Sequence, residues 1–221
     1  LVNLWGFGPG ARREKAPSPN EIEATRARVG YQFLELRAEP PALRKARPDL
    51  YLDLSAIAKG YAVDLLAAYL NSLGLTDYLV EIGGEVWGRG HNRHGRPWRI
   101  AIEKPDPGSR SVHDIVELDG LGIATSGDYR NFFEQGGNRY SHSIDPASGL
   151  PVRHNLASVT VLAPSVMRAD ALATALLIMG PERGLALAEQ QGLAVLFILR
   201  EGDAFRTRAT PEFARYRVQP T

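Results

Sequence analysis

Tyr140-Ser-His-Ser-Ile-Asp-Pro-Ala-Ser-Gly149, Ser158-Val-Thr-Val-Leu-Ala163 and Ala169-Asp-Ala-Leu-Ala-Thr174 form the stretch whose reading decides the fold. The first block reads as a polar turn, because Asp-Pro-Ala-Ser-Gly collects turn-forming residues. The second is a short apolar run of strand type, and the third opens a helical pattern predicted over Met167 to Met179. On that helix Asp170 and Thr174 stand four apart and share a face near the N-terminal end. The stretch therefore lays an imidazole, a turn and an oxygen pair along one strand and one helix.

Outward from there, Tyr78 to Ile82, Glu85 to Gly88, Trp98 to Lys104, His113 to Leu118 and Leu121 to Ala124 read as short strands separated by Gly, Pro and Asn, an antiparallel region. Asp128 to Glu134 reads as a short helix, Ala157 to Ala163 as a strand, Pro181 to Gln191 as a helix and Leu193 to Leu199 as a strand. Upstream, Leu1 to Gly10 reads as an irregular segment packed on a core, and Ala11 to Asn20 as an exposed loop. Ser18-Pro19-Asn20-Glu21 caps a helix over Pro19 to Val29. Tyr31 to Ala38 and Ala42 to Arg47, the second amphipathic by alternation, make a hairpin through Pro40-Pro41. The clearest helix follows Asp53, with an apolar face of Ile57, Tyr61, Leu65 and Tyr69 beside Ala58, Ala62, Leu66 and Leu73, ending at Gly74. A β meander with paired helices predicts an α+β fold in one continuous domain, an antiparallel β core flanked by helices.

At 221 residues, with 44% hydrophobic and 23% charged residues, the chain has an ordinary globular composition. No apolar run reaches the ~20 residues that span a bilayer. Twenty-six basic against 25 acidic residues, net +1, give no field that attracts nucleic acid. Cysteine is absent, which excludes disulfides, thiolate nucleophiles and Cys-ligated zinc. Any metal is held by oxygen or histidine. With Leu1 first, the chain reads as a processed product or a fragment.

Each candidate has two readings. Asp170 and Thr174 suit a hard cation such as Mg²⁺, which prefers oxygen and completes its shell with water and phosphate; equally, Asp170 complements the helix dipole and Thr174 packs. His142 titrates where a general base is useful, or it is a strand residue on a polar face. Asp53-Leu-Ser-Ala56-Ile-Ala-Lys59-Gly60 feeds a helix N-terminus that can accept phosphate, with Lys59 and Gly60 allowing close approach. Alternatively Asp53 or Ser55 caps that helix and Lys59 is solvated. Gly83-Gly84-Glu85 and Thr125-Ser126-Gly127-Asp128-Tyr129 place small residues where a ligand, or merely a tight turn, needs them.

Taken together and in order, Asp53-Leu-Ser-Ala-Ile-Ala-Lys-Gly-Tyr-Ala-Val-Asp64, Glu81-Ile-Gly-Gly-Glu85, Ala124-Thr-Ser-Gly-Asp-Tyr129, His142 to Gly149, Ser158-Val-Thr-Val and Ala169 to Thr174 closely resemble the ApbE family of flavin transferases. The resemblance runs from Leu1 to about Leu199. It implies a T-fold-like ApbE architecture over 1–221 and Mg²⁺-dependent transfer of FMN from FAD to a Thr or Ser hydroxyl of a target flavoprotein, releasing AMP. By the match, Asp170, Thr174 and the main-chain carbonyl of Ala56 hold Mg²⁺. Asp53, Lys59 and Ile144 line the FAD site, and His142 takes the acceptor proton. The acceptors it implies are redox-complex subunits of the Nqr or Rnf type, and the compartment is the periplasmic side of the inner membrane, reached through a lipid anchor that this chain lacks. Two departures stand out: the family's further third of its length, with flavin-holding residues, precedes the Leu-Trp-Gly-Phe segment, and Ala173 replaces an acidic residue found in some members. An FAD pyrophosphatase and a non-catalytic FAD-binding protein are the alternatives.

Overall fold

A computed structural model of the chain describes residues 1–10, 13, 15–106, 111–128 and 131–218. Its contacts divide into two compact units, Leu1–Asp53 with Asn131–Arg153, and Leu54–Arg130 with His154–Thr221.

In the first unit, helix α1 (Pro19–Arg26) starts as expected: Ser18 and Glu21 form a reciprocal capping box, with Pro19 at the first turn. It is shorter than the predicted helix. Strands β1 (Leu34–Arg37) and β2 (Ala42–Lys45) form the expected hairpin, preceded by a 3₁₀ turn at Tyr31–Phe33. The alternation in β2 does not mark a buried face, since all four of its residues are exposed. The core of this unit is Trp5, Ile22 and Ile144. Tyr140 stacks between Trp5 and Phe133, with ring centroids 5.5 and 5.1 Å away. The Trp5 indole donates to the Gly149 carbonyl at 2.8 Å, so the irregular N-terminal segment is fastened to the Asp145–Gly149 turn. Gly149 adopts φ +74°, and a Cβ there would lie 2.6 Å from Ile22 Cγ2; both facts require glycine.

The second unit holds strands β3 (Tyr78–Ile82), β4 (Glu85–Arg89), β5 (Trp98–Glu103), β6 (Val112–Leu118) and β7 (Leu121–Gly127). The predicted helix over Asp128 to Glu134 is not formed: in the first unit Phe132–Gln135 is strand β8, paired with β9 (Asn138–Ser141). Phe133 and Phe132 alternate across that ribbon, and a two-residue Gly136-Gly137 turn with positive φ at both positions favours a hairpin over a helix. Tyr129, which ends the Thr125 to Tyr129 motif, and residues 11, 12 and 14 of the predicted loop lie outside the described residues. Back in the second unit come β10 (Leu156–Ala163), α3 (Val166–Met179), α4 (Pro181–Gln190), β11 (Ala194–Glu201), β12 (Ala204–Ala209) and the short α5 (Pro211–Ala214).

Its described strands form an antiparallel sheet in the order β12-β11-β10-β7-β4-β3, with β5 and β6 as a separate hairpin. Alternation explains why β10 and β11 are apolar throughout. Val159, Val161, Val195 and Phe197 face α3 and α4, while Leu162, Ala194, Leu196 and Ile198 face Val116 and Leu118 of β6 and Phe213 of α5. The expected α+β class, an antiparallel core flanked by helices, is borne out.

Helix α2 (Ala58–Ser72) departs from the expected face. Its buried residues are Gly60, Val63 and Ala67, whereas Tyr61 is 51%, Leu65 52% and Tyr69 60% exposed. The sequence carries two apolar stripes, and the narrower one of small residues packs inward because α3 comes very close. A Cβ on Gly60 would sit 2.5 Å from the Val166 carbonyl oxygen.

The helices also cap each other. No side chain caps α2 from its own N-cap residue, Ile57; the Gly60 amide donates to Asp170 Oδ2 of α3 at 3.1 Å instead. In return Asp64 of α2 accepts from the Val166 amide (2.8 Å), the Met167 amide (3.0 Å) and the Ser165 hydroxyl (2.7 Å) at the start of α3. Negative charge at each N-terminus also complements the helix dipole. Asp64→Ala should therefore lower unfolding free energy by about 2 kcal/mol, the upper end for a lost cap, in urea titration; unchanged stability would contradict the capping role.

Candidate active site

Asp170 lies one turn into α3 and is 2% exposed. A buried carboxylate needs compensation, and its two oxygens receive it from different sources. Oδ2 takes the Gly60 amide, and Oδ1 faces the Lys59 ammonium at 3.5 Å. Lys59 Nζ is closer still to Glu85 Oε1, at 2.7 Å. Glu85 opens β4, is 3% exposed, and keeps Oε2 buried with no hydrogen-bond partner. Burial pushes the Glu85 carboxyl above its ordinary value, against the hydrogen bond and charge of Lys59.

One helical turn beyond Asp170, the half-buried Thr174 pairs its hydroxyl with Ser126 Oγ of β7 at 3.0 Å. The expected same-face spacing of Asp170 and Thr174 on one helix is thus found. Ala173 between them is fully buried against the sheet, so in this chain that position supplies packing. Ala56 lies in the turn Ser55–Ile57 that enters α2.

Three sequence readings need correction here. Neither Asp53 nor Ser55 occupies the N-cap of α2, because the helix begins three residues beyond Ser55 with Ile57 as its cap. Lys59 is not a solvated charge but the bridge between two buried carboxylates. Gly60 does not leave room for a phosphate, since the α3 backbone fills that space and its amide is already engaged.

The first unit contains the other candidates. His142 follows β9, so it does not share a strand and helix with Asp170 as expected. Its Nδ1 lies 3.1 Å from the Asn131 carbonyl, which also accepts the His142 amide at 3.1 Å. A carbonyl only accepts, so Nδ1 carries the proton directed at it. Phe7 meets the ring edge-on with centroids 6.3 Å apart. Ile144 is a core residue beside Trp5 and Ile22. Asp53 is exposed in the irregular segment 51–54. Asp145 organises its turn by accepting from the Ala147 and Ser148 amides at 3.0 and 3.2 Å.

The structure thus brings Lys59 and Asp170 together and adds Glu85 and Ser126, to which sequence reasoning assigned no role. The Gly-Gly-Glu and Thr-Ser-Gly motifs contain both residues, but only strand register shows which side chains turn inward. Among the described residues no three His, Cys, Asp or Glu side chains converge. A metal here would therefore rest on one carboxylate, a hydroxyl and main-chain oxygen, a hard-oxygen set that fits Mg²⁺ when substrate and water complete the shell.

Comparison with known proteins decides the family. Residues 1–197 match the ApbE family. The chain belongs to the ApbE family. It is 53% identical over 213 residues to the FAD:protein FMN transferase of Vibrio cholerae, covering 96% of this chain and 63% of that protein. The Escherichia coli K12 protein of the same name is 46% identical over 99% of the chain and 63% of its own length. Among solved structures, the apo flavinyl transferase ApbE of Pseudomonas stutzeri superposes with a TM-score of 0.86 at 52% identity, over 97% of this chain and 66% of that one. An ApbE protein of Thermotoga maritima gives 0.86 at 31% identity, over 99% and 70%. The chain thus spans somewhat under two thirds of the length of the curated relatives it matches.

The raised Glu85 carboxyl has a measurable sign. A carboxyl whose value is higher in the folded state contributes stability that is fully present below its ordinary value of 4.5 and is lost as pH rises through the folded value. In EDTA, urea unfolding of Glu85→Gln should therefore gain on the parent as pH rises from 4.5 to 8. A pH-independent difference would contradict the assignment.

Proposed function

We propose that the protein transfers FMN from FAD to a Thr or Ser hydroxyl of a flavoprotein, releasing AMP. The observation carrying this reading is the 53% identity to an FAD:protein FMN transferase over 96% of the chain. In this reading Asp170, Thr174 and the Ala56 carbonyl hold Mg²⁺, and Asp53, Lys59 and Ile144 belong to the FAD site. When bound, the cation neutralises charge on the pyrophosphate oxygens.

The chain's own residues supply the rest. Gly60 pins one Asp170 oxygen and so orients the other. The hydrogen bond between the Ser126 and Thr174 hydroxyls, 3.0 Å long, fixes the orientation of the Thr174 side chain. His142 Nε2 takes the proton of the acceptor hydroxyl as that oxygen bonds to the FMN phosphorus; the bond to the AMP oxygen breaks, and AMP leaves. A hydroxyl is a weak nucleophile until its proton has a destination. The acceptors are redox-complex subunits of the Nqr or Rnf type, and the setting is the periplasmic face of the inner membrane through a lipid anchor. Among the described residues no helix is long and apolar enough to cross a membrane.

Incubating the full natural protein with FAD, Mg²⁺ and an acceptor flavoprotein should leave covalent flavin fluorescence on the denatured acceptor and one AMP per flavin. His142→Ala should slow transfer by about 10²–10⁴-fold, the usual contribution of a general base, without loss of FAD binding. No covalent flavin, or an unaffected His142→Ala rate, would overturn the proposal.

A further inference from the structure

Glu85 is the residue that the proposed chemistry leaves unused. It is 3% exposed, its Oε2 has no hydrogen-bond partner among the described residues, and its Oε1 pairs with Lys59 at 2.7 Å. A buried carboxylate with one oxygen unmatched is costly to keep. Its neighbour explains what it gains. Among the described residues Lys59 is the cation paired with Asp170, and it stands at hydrogen-bonding distance from Glu85 but at 3.5 Å from Asp170. Gly83 leaves space for the lysine stem: a Cβ there would lie 3.1 Å from Lys59 Cδ and 3.7 Å from Glu85 Oε2. Glu85 itself is held in strand register opposite Ile82, so it is a fixed anchor on the sheet rather than a mobile surface acid.

An ammonium and a divalent cation compete for the same carboxylate oxygen. Asp170 Oδ2 is committed to Gly60, which leaves Oδ1 as the contested atom. We propose that Glu85 is a positioning residue that holds the Lys59 ammonium off Asp170, so that a divalent cation rather than Lys59 takes the Asp170 carboxylate. This rests on the proposed cation site at Asp170 and adds a device to it. With Lys59 drawn to Glu85, the ammonium remains beside the cation without displacing it, where it can meet an anionic substrate. Without the Glu85 charge, Lys59 closes on Asp170 and blocks the site.

The test is Mn²⁺ alone, titrated into the full natural protein without FAD and followed by the loss of free-ion EPR signal. Glu85→Gln should bind Mn²⁺ about 10-fold more weakly, the lower end for losing an outer-shell partner. Lys59→Met, at a side chain 42% exposed and thus tolerant of change, should bind at least as tightly as the parent. The decisive variant is Lys59→Met with Glu85→Gln, which should regain parental affinity because no competitor remains. An unchanged Glu85→Gln affinity overturns the proposal. So does a double variant as weak as Glu85→Gln, because Glu85 would then act by its own charge or by supporting the fold. If the parent and Asp170→Asn bind Mn²⁺ equally, the cation site itself is wrong and this inference falls with it.

Discussion

The second unit depends on two helices that complete each other's N-termini. Every helix begins with amides that its own backbone cannot satisfy. Here α2 lends Asp64 to α3, and α3 lends Asp170 to α2. The exchange is possible only because Gly60 lets the two backbones approach to within a distance at which any side chain would collide. A single residue, Asp170, therefore has two jobs: one oxygen maintains the helix pair while the other faces a charge. That coupling explains why the carboxylate can be both buried and oriented.

Around it the charges are arranged in sequence across the sheet. Lys59 stands at the start of α2, Glu85 at the start of β4 and Asp170 on α3, so the cluster joins three elements that the chain visits in order. Thr174 and Ser126 extend it with neutral oxygens along the helix and into β7. A low-dielectric setting strengthens each of these interactions and makes an unmatched atom expensive. The unmatched atom is Glu85 Oε2, which is why that residue invites a functional rather than a purely structural account.

Much of this was legible beforehand, for reasons that differ by element. The strands β3, β4, β10 and β11 were readable because alternation and Gly-bounded runs state their limits locally. Asp170 and Thr174 were readable because four-residue spacing on a helix defines a face. The buried side of α2 was not: two apolar stripes competed, and the choice was made by a glycine whose partner lies more than a hundred residues away. The β8–β9 hairpin is hidden from local propensity because Asp128 to Glu134 also suits a helix start, and only the Gly136-Gly137 turn favours the strands. Glu85 and Ser126 were visible as motif members, but their roles depend on strand register and on which oxygen Gly60 leaves available.

The central claim is that the cluster around Asp170 is a cation site. Its most direct test is anomalous diffraction at the manganese edge from crystals of the full protein grown with Mn²⁺. The account predicts one peak bonded to Asp170 and Thr174 Oγ1, with Lys59 kept on Glu85. No manganese peak there, with Lys59 closed onto Asp170, would contradict it.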